Sequence, residues 1–275
     1  MAQESSDRFS KGQSMTFEDF ARLHGLMLDH VIEGRWVRVP TEDHPRKKNG
    51  AYIFDGRSGL IQNHAVHESP IRYVSDQPFV PDPQAAAKRQ KQREDRVKHQ
   101  SEAAKKAAFI FNNVRVEQHP YLVRKGFTEP AKVWKGLLTV PMRVAGNLVG
   151  LQLINIDGTK RFLSGQQTKG ASLVIDNKGP NVLVEGLATG LSVRRALKLL
   201  RLRYCIHVCF SAGNMLEIAK SLDNPIVVAD NDAMGIGTAK KIASRYWLGE
   251  AGEDFNDYEQ RVGSQAAAES LRPFF

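Results

Sequence analysis

Cysteine is nearly absent from this chain: there are two in 275 residues, Cys205 and Cys209, both in the apolar stretch "YCIHVCF". Four residues apart on a strand, they point to the same face and read as buried thiols, which excludes a disulfide framework and fits a reducing cytosol. With no cysteine before position 205, a Cys-type zinc site in the first two-thirds of the chain is excluded as well. His44, His64 and His67 with Asp43 are too few and too irregularly spaced to replace one, so no zinc is expected. No apolar run approaches the roughly 20 residues a membrane helix requires, and "MAQESSDRFSKGQSM" has no hydrophobic signal region. The reading is a soluble, cytoplasmic protein with no membrane partner. GxxxxGK[ST] does not occur either, so no phosphate-loop motor is encoded in these residues.

Positive charge is plentiful, with Lys+Arg 39 against Asp+Glu 30 and a formal net charge of +9. That balance favours an anionic partner such as nucleic acid. A hydrophobic content of 41% suffices for a sizeable core. Residues 1–14 read as a disordered polar tail. Over 15–77, "MTFEDFARLHGLMLDHVI" has helical spacing with Thr16 as cap, and the Pro- and Gly-punctuated stretch after it predicts a small antiparallel module. In that module Trp36, Tyr52 and Phe54 read as core packing ahead of base stacking. Residues 78–106 combine "PFVPDPQ", three prolines that exclude a helix, with a strongly charged helix over 85–106 carrying eight Lys or Arg against three Asp or Glu. A solvated connector is the favoured reading of that helix over a nucleic-acid contact.

Residues 107–178 predict a basic α+β subdomain in which "GLLTVPMRVAGNLVGLQLINIDGTKRFLSG" supplies three short strands. From 179 to 275 strands and helices alternate, βαβαβα, which predicts a parallel sheet covered by helices. The overall class is therefore α/β, with the parallel sheet at the C-terminal end.

In open parallel sheets, ligands bind beyond the carboxyl ends of the strands. Two acid sets fall there. Glu185 ends "VLVEG", as either a capping acid or part of a site. Asp230 and Asp232 end "IVVADND", and as i and i+2 they share one side. Paired carboxylates repel unless a cation lies between them, and Mg²⁺ typically takes one or two carboxylates plus substrate phosphates. Gly235 and Gly237 are read as admitting a substrate, with Thr238, Lys240 and Lys241 opening the helix behind them.

Taken in order, "VEGLATGLS", "FSAGNMLEIA", "VVADNDAMGIGTAKKIA" and "GEDFNDYEQ" resemble the Toprim domain of the primases of bacteria (DnaG-like), phages and plasmids. "HPYLVRKG", "GTKRFLSG" and "PTEDHPRKKNGAYIFDG" resemble the segments that precede it. The resemblance implies a Toprim-type parallel sheet and a primase-like nucleotidyltransferase that makes short primers on a single-stranded DNA template from nucleoside triphosphates. It implies Glu185, Asp230 and Asp232 as catalytic residues, and a site for Mg²⁺ or Mn²⁺ formed by Asp230, Asp232 and Glu185 with Asp254 from "DFND". Asp257 of that stretch reads equally well as a helix cap. Arg124, Lys125, Arg143, Lys160, Arg161 and Lys240 are the expected nucleotide or nucleic-acid contacts, and a separate replicative helicase is a possible partner. Two alternatives stay open: a Toprim-type metal-dependent nuclease, and a non-enzymatic protein that binds nucleic acid or a partner.

Overall fold

The computed structural model describes residues 15–67, 69–76, 83–243 and 245–275. The expected N-terminal tail and residues 77–82 of the proline-rich stretch lie outside them. The chain divides into two compact units, Met1–Ala87 and Lys88–Phe275.

In the first unit, α1 (Phe17–Leu23) opens on Thr16, whose hydroxyl accepts the Asp19 N–H at 3.1 Å and donates to the Asp19 carboxylate at 2.7 Å. The helix is shorter than its apolar spacing predicts. Gly25 takes φ +75° just past its end, a left-handed stop that a side chain resists, and Leu26 leaves the helical course to bridge Thr41. Four antiparallel strands follow in chain order: β1 (Val37–Val39), β2 (Gly50–Phe54), β3 (Ser58–Asn63) and β4 (Ile71–Val74). Phe17 of α1 packs against Tyr52, Phe54 and Tyr73, so two of the three candidate stacking aromatics are core, whereas Trp36 is 52% exposed.

The long helix α2 (Pro83–Asn112) starts inside the stretch expected to be non-helical and runs six residues past Lys106. Proline is compatible with the first position of a helix, where its missing N–H would have no partner, so the third proline opens the helix. Its last turns bury Ala103, Ala107 and Ile110. Then come β5 (Arg115–Glu117), α3 (Pro120–Arg124), β6 (Ala131–Trp134), β7 (Leu137–Val144), β8 (Asn147–Ile154) and β9 (Lys160–Phe162). The five strands form one antiparallel sheet in chain order, two more strands than the sequence pattern predicts.

The third sheet holds β10 (Leu173–Asp176), β11 (Asn181–Val184), β12 (Cys205–Val208), β13 (Ile226–Val228) and β14 (Tyr246–Trp247). Its order is β10-β12-β11-β13-β14; β10 is antiparallel to its neighbour, and the other pairs are parallel. The helices are α4 (Leu187–Leu199), α5 (Ala212–Ala219), α6 (Ala233–Ile242), α7 (Phe255–Val262) and α8 (Ser264–Leu271). Strand alternation sorts the core. Val182, Val184, Ile206 and Val208 pack against α4 and α8 on one face, while Leu183, Cys209 and Val227 meet α5 and α6 on the other. Both cysteines are free. From β11 the chain crosses first to β12 on one side and then returns to β13 on the other. The crevice at the carboxyl ends of β11 and β13 is therefore the switch point of the sheet. Among the described residues no helix is long and apolar enough to cross a membrane.

Candidate active site

Glu185 stands one residue past β11 and Asp230 two past β13, so the switch point brings both to the same crevice. Gly186, not Glu185, is the N-cap of α4, which removes the capping explanation for this acid. A cavity of about 440 Å³ opens there, and its walls include Glu185, Asp230 and Asp254 together with Arg124, Lys125 and Lys160. Tyr121, Asp157 and Gln260 also line it and were not singled out in the sequence, because tertiary packing alone brings α3, the β8–β9 turn and α7 to this point; Thr189 joins them from the first turn of α4.

Asp230 carries the sharpest electrostatic signature. Its Oδ1 is buried and has no hydrogen-bond partner among the described residues. Burial first, then the charges of Asp254, Glu185 and Asp232, push its pKa up to about 7, with Lys160 opposing. Burial and the Asp232 charge likewise raise the pKa of Glu185, against Lys160. The charges of three other carboxylates thus converge on Asp230. Gly235 explains part of the closeness: a Cβ there would lie 2.2 Å from the Asp230 carbonyl oxygen, so glycine serves the approach of the backbone to itself rather than to a substrate.

Asp232 does not line the cavity. It is the N-cap of α6, its Oδ1 accepting the Gly235 N–H at 2.7 Å, while its charge still reaches Glu185 and Asp230. Asn231 turns away as its i+1 position predicts, and its amide donates to Gly249 O at 2.8 Å. Asp254 caps α7 by accepting the Asp257 N–H at 2.8 Å, so the cap of that helix is Asp254 and not Asp257. Asp257 instead pairs with Lys125 at 2.9 Å. Burial works against the charge on Lys125, but the Asp257 bond and the Asp254 and Asp257 charges outweigh it and raise its pKa. Asn256, fully buried, donates to Lys125 O and Ser192 Oγ, both at 2.9 Å, and fastens α7 to α3 and α4.

Three expected contacts lie elsewhere. Lys240 sits in the last turn of α6, because Asp232 caps the helix and it begins at Ala233. The residues read as opening it, Thr238, Lys240 and Lys241, therefore lie in its second half. Eight residues of helix past Asp232 place Lys240 roughly 12 Å along the axis from the acids. Arg143 donates to Gly146 O at 2.9 Å and lines a separate cavity with His207 and Glu217. Arg161 points to the opposite face of its sheet from Lys160, since β9 alternates: Lys160 is paired with Ile154 and Arg161 with Leu153. Arg124 donates to Ile156 O, tying α3 to the β8–β9 turn that carries Lys160.

Among the described residues no group of three His, Cys, Asp or Glu side chains forms a ready-made metal cage. Mg²⁺ requires less from a protein: one or two hard carboxylate oxygens, the remaining positions going to water and substrate phosphate. An orphaned buried carboxylate oxygen on Asp230, with Glu185 and Asp254 beside it, fits that requirement.

No family model matches the chain. Similar solved structures include DNA primase domains. A DNA primase domain from Pseudomonas aeruginosa is 13% identical with a TM-score of 0.36, covering 52% of this chain and 53% of its own. The DnaG catalytic core is 13% identical with a TM-score of 0.37, over 70% and 74%. A DnaG primase catalytic domain bound to ssDNA is 15% identical with a TM-score of 0.36, over 70% and 73%. This chain thus spans about half the length of the Pseudomonas domain. Likeness of that degree carries no functional argument, which rests on the residues.

Proposed function

We propose that the chain is a primase-like nucleotidyltransferase that uses the crevice at β11 and β13 to join nucleotides on a single-stranded DNA template. The observation that carries this reading is the unsatisfied, buried Asp230 oxygen among acids, with Arg124, Lys125 and Lys160 lining the same cavity. Acids suit a divalent cation and bases suit phosphate oxygens, and a triphosphate–metal pair needs both. Asp230, with Glu185 and Asp254, would hold Mg²⁺ or Mn²⁺, and Asp232 adds charge from the α6 cap. The ion's contribution there is to neutralise charge developing on the transferred phosphoryl group.

The protein groups do the rest. Lys160, which forms no ion pair among the described residues, binds phosphate. Lys125, held by Asp257, fixes part of the cavity wall, and Arg124 orients the turn that leads to Lys160. Glu185, whose pKa is raised by burial, receives the proton of the attacking 3′ hydroxyl. A separate helicase stays a candidate partner for such an enzyme.

The test supplies labelled nucleotides, single-stranded DNA and Mg²⁺ or Mn²⁺. New short oligonucleotides are expected, with Asp230→Asn and Glu185→Gln each lowering the yield by about 100-fold or more, the scale of a lost acid–base or electrostatic group. Template degradation without incorporation would replace this reading with the nuclease. Neither activity, with DNA binding retained, would leave a non-enzymatic binding protein.

A further inference from the structure

More than half of the chain's net charge of +9 sits in one short segment: residues 85–106 carry eight Lys or Arg against three Asp or Glu, a net +5. That segment lies within α2, and from Lys88 to His99 every side chain is exposed. Nothing apolar holds this part of the helix against the body, so its composition answers to something other than packing.

The charges on it are sorted by face. At about 100° per residue, all three arginines of the helix, Arg89, Arg93 and Arg96, fall on one side. Lys91, Lys98 and Lys105 fall on the other with Glu94, Asp95 and Glu102, at i,i+4 or i,i+3 spacings where opposite charges offset one another. The arginine face continues in line into Gln100, Ala103 and Ala107. Ala107 packs on Leu151 and Leu163 of the antiparallel sheet region.

Strand register places a fourth arginine on the same side. Arg161 of β9 is paired with Leu153, and Leu163 follows two residues later, both on the face against which α2 packs. Lys160, one residue earlier, is paired with Ile154 on the opposite face and lines the acid cavity. The edge strand β9 therefore turns a basic residue to each side of the sheet.

We infer that Arg161 and the arginine face of α2 form a track for the phosphate backbone of single-stranded DNA that rounds the β9 edge from the acid cavity. This inference rests on the reading of that cavity as a site where a DNA strand is handled. Arginine suits the task through its bidentate geometry toward phosphate, and an exposed helix face presents such groups at a repeat of one to two turns.

The experiment compares two double variants of equal charge change, Arg93→Gln with Arg96→Gln and Lys91→Gln with Lys98→Gln, in the full chain. Glutamine keeps helix propensity, and circular dichroism checks that the helix content is unchanged. Fluorescence anisotropy reads the affinity for labelled single strands of about 6 and about 30 nucleotides. The arginine pair is expected to weaken the long strand about tenfold at low salt and to flatten its log K against log salt slope by about 1–2, with little effect on the short one. The lysine pair is expected to change either by less than about threefold. Arg161→Gln should follow the arginine pair, and Lys160→Gln should weaken both lengths. Equal losses from the two double variants would show mere net charge and overturn the track, as would no loss from either. Should an acidic protein displace the short strand and the long one alike, the face is no DNA track. Failure of the site reading looks different: arginine-dependent binding of the long strand would persist without any nucleotide transfer.

Discussion

Asp230 makes a statement about stability as well as about chemistry. Folded, it keeps its proton up to about pH 7; unfolded, it releases it near the ordinary value of 3.8. Between those limits the folded state binds more protons, so stability falls as pH rises, the reverse of a salt-bridged carboxylate. Glu185 acts in the same direction. His24, His64 and His207, whose pKa values burial lowers, act the other way: their contribution is lost as pH falls below about 6.5. The difference between wild type and Asp230→Asn isolates the acid. In metal-free urea denaturation, Asp230→Asn is expected to gain on wild type by roughly 2–4 kcal/mol at pH 8 and to lose most of that advantage near pH 4, at ~1.4 kcal/mol per pKa unit. Mg²⁺ should stabilise wild type more at pH 8 than at pH 5, since it competes with the proton, and should do little for the variant. A pH-independent gap between the two proteins would show that Asp230 is not held protonated by its surroundings.

Two elements of the site begin on the acids that build it. Asp232 starts α6 and Asp254 starts α7, each accepting a backbone N–H three residues on. Asp254 holds one oxygen on its helix and still lines the cavity, whereas Asp232 reaches it through its charge alone. The two duties can be separated, because asparagine caps as well as aspartate but carries no charge. Asp254→Asn is expected to melt at or above the wild-type temperature in the absence of metal, since it keeps the cap and relieves repulsion on Asp230, and to lose part of the stabilisation by Mg²⁺. Asp254→Ala should lose about 1 kcal/mol of stability as well. Calorimetry with and without Mg²⁺ checks both, and equal behaviour of the two variants would mean that the cap carries no separate weight. The element scale also shows where the sequence was legible. Glu185 and Asp230 could be placed because β-strand and helix periods alternate clearly from 181 onward, and strand ends follow from them. Lys240 could not, because its distance from the acids depends on which residue caps α6, and the DND run offers more than one. Lys160 and Arg161 read as one basic pair until the register of β9 assigned them to opposite faces. Arg143 looked like its neighbours in charge but belongs to another cavity, a matter of tertiary packing that no local pattern encodes.

At the scale of the whole molecule, every residue that lines the acid cavity comes from 121–260, inside the unit Lys88–Phe275. Among the described residues, the four clusters of apolar side chains in that unit draw no member from before 107, while the aromatic cluster around Phe17 and Tyr52 lies entirely within 17–73. Two separate cores imply that neither needs the other to bury its apolar surface. A fragment beginning at residue 83, which retains all of α2, is therefore expected to fold, to melt cooperatively, and to show the same pH-dependent Mg²⁺ stabilisation as the full chain. It should also keep the arginine-dependent affinity for a long single strand, since Arg89, Arg93, Arg96 and Arg161 all remain. Any loss in primer synthesis with both of these properties intact would then assign a role in template handling to residues 15–76, whose exposed Trp36 has no part in their core. A fragment that fails to fold, or that folds without responding to Mg²⁺, would show that the acid crevice depends on the first unit, against the division of the cores.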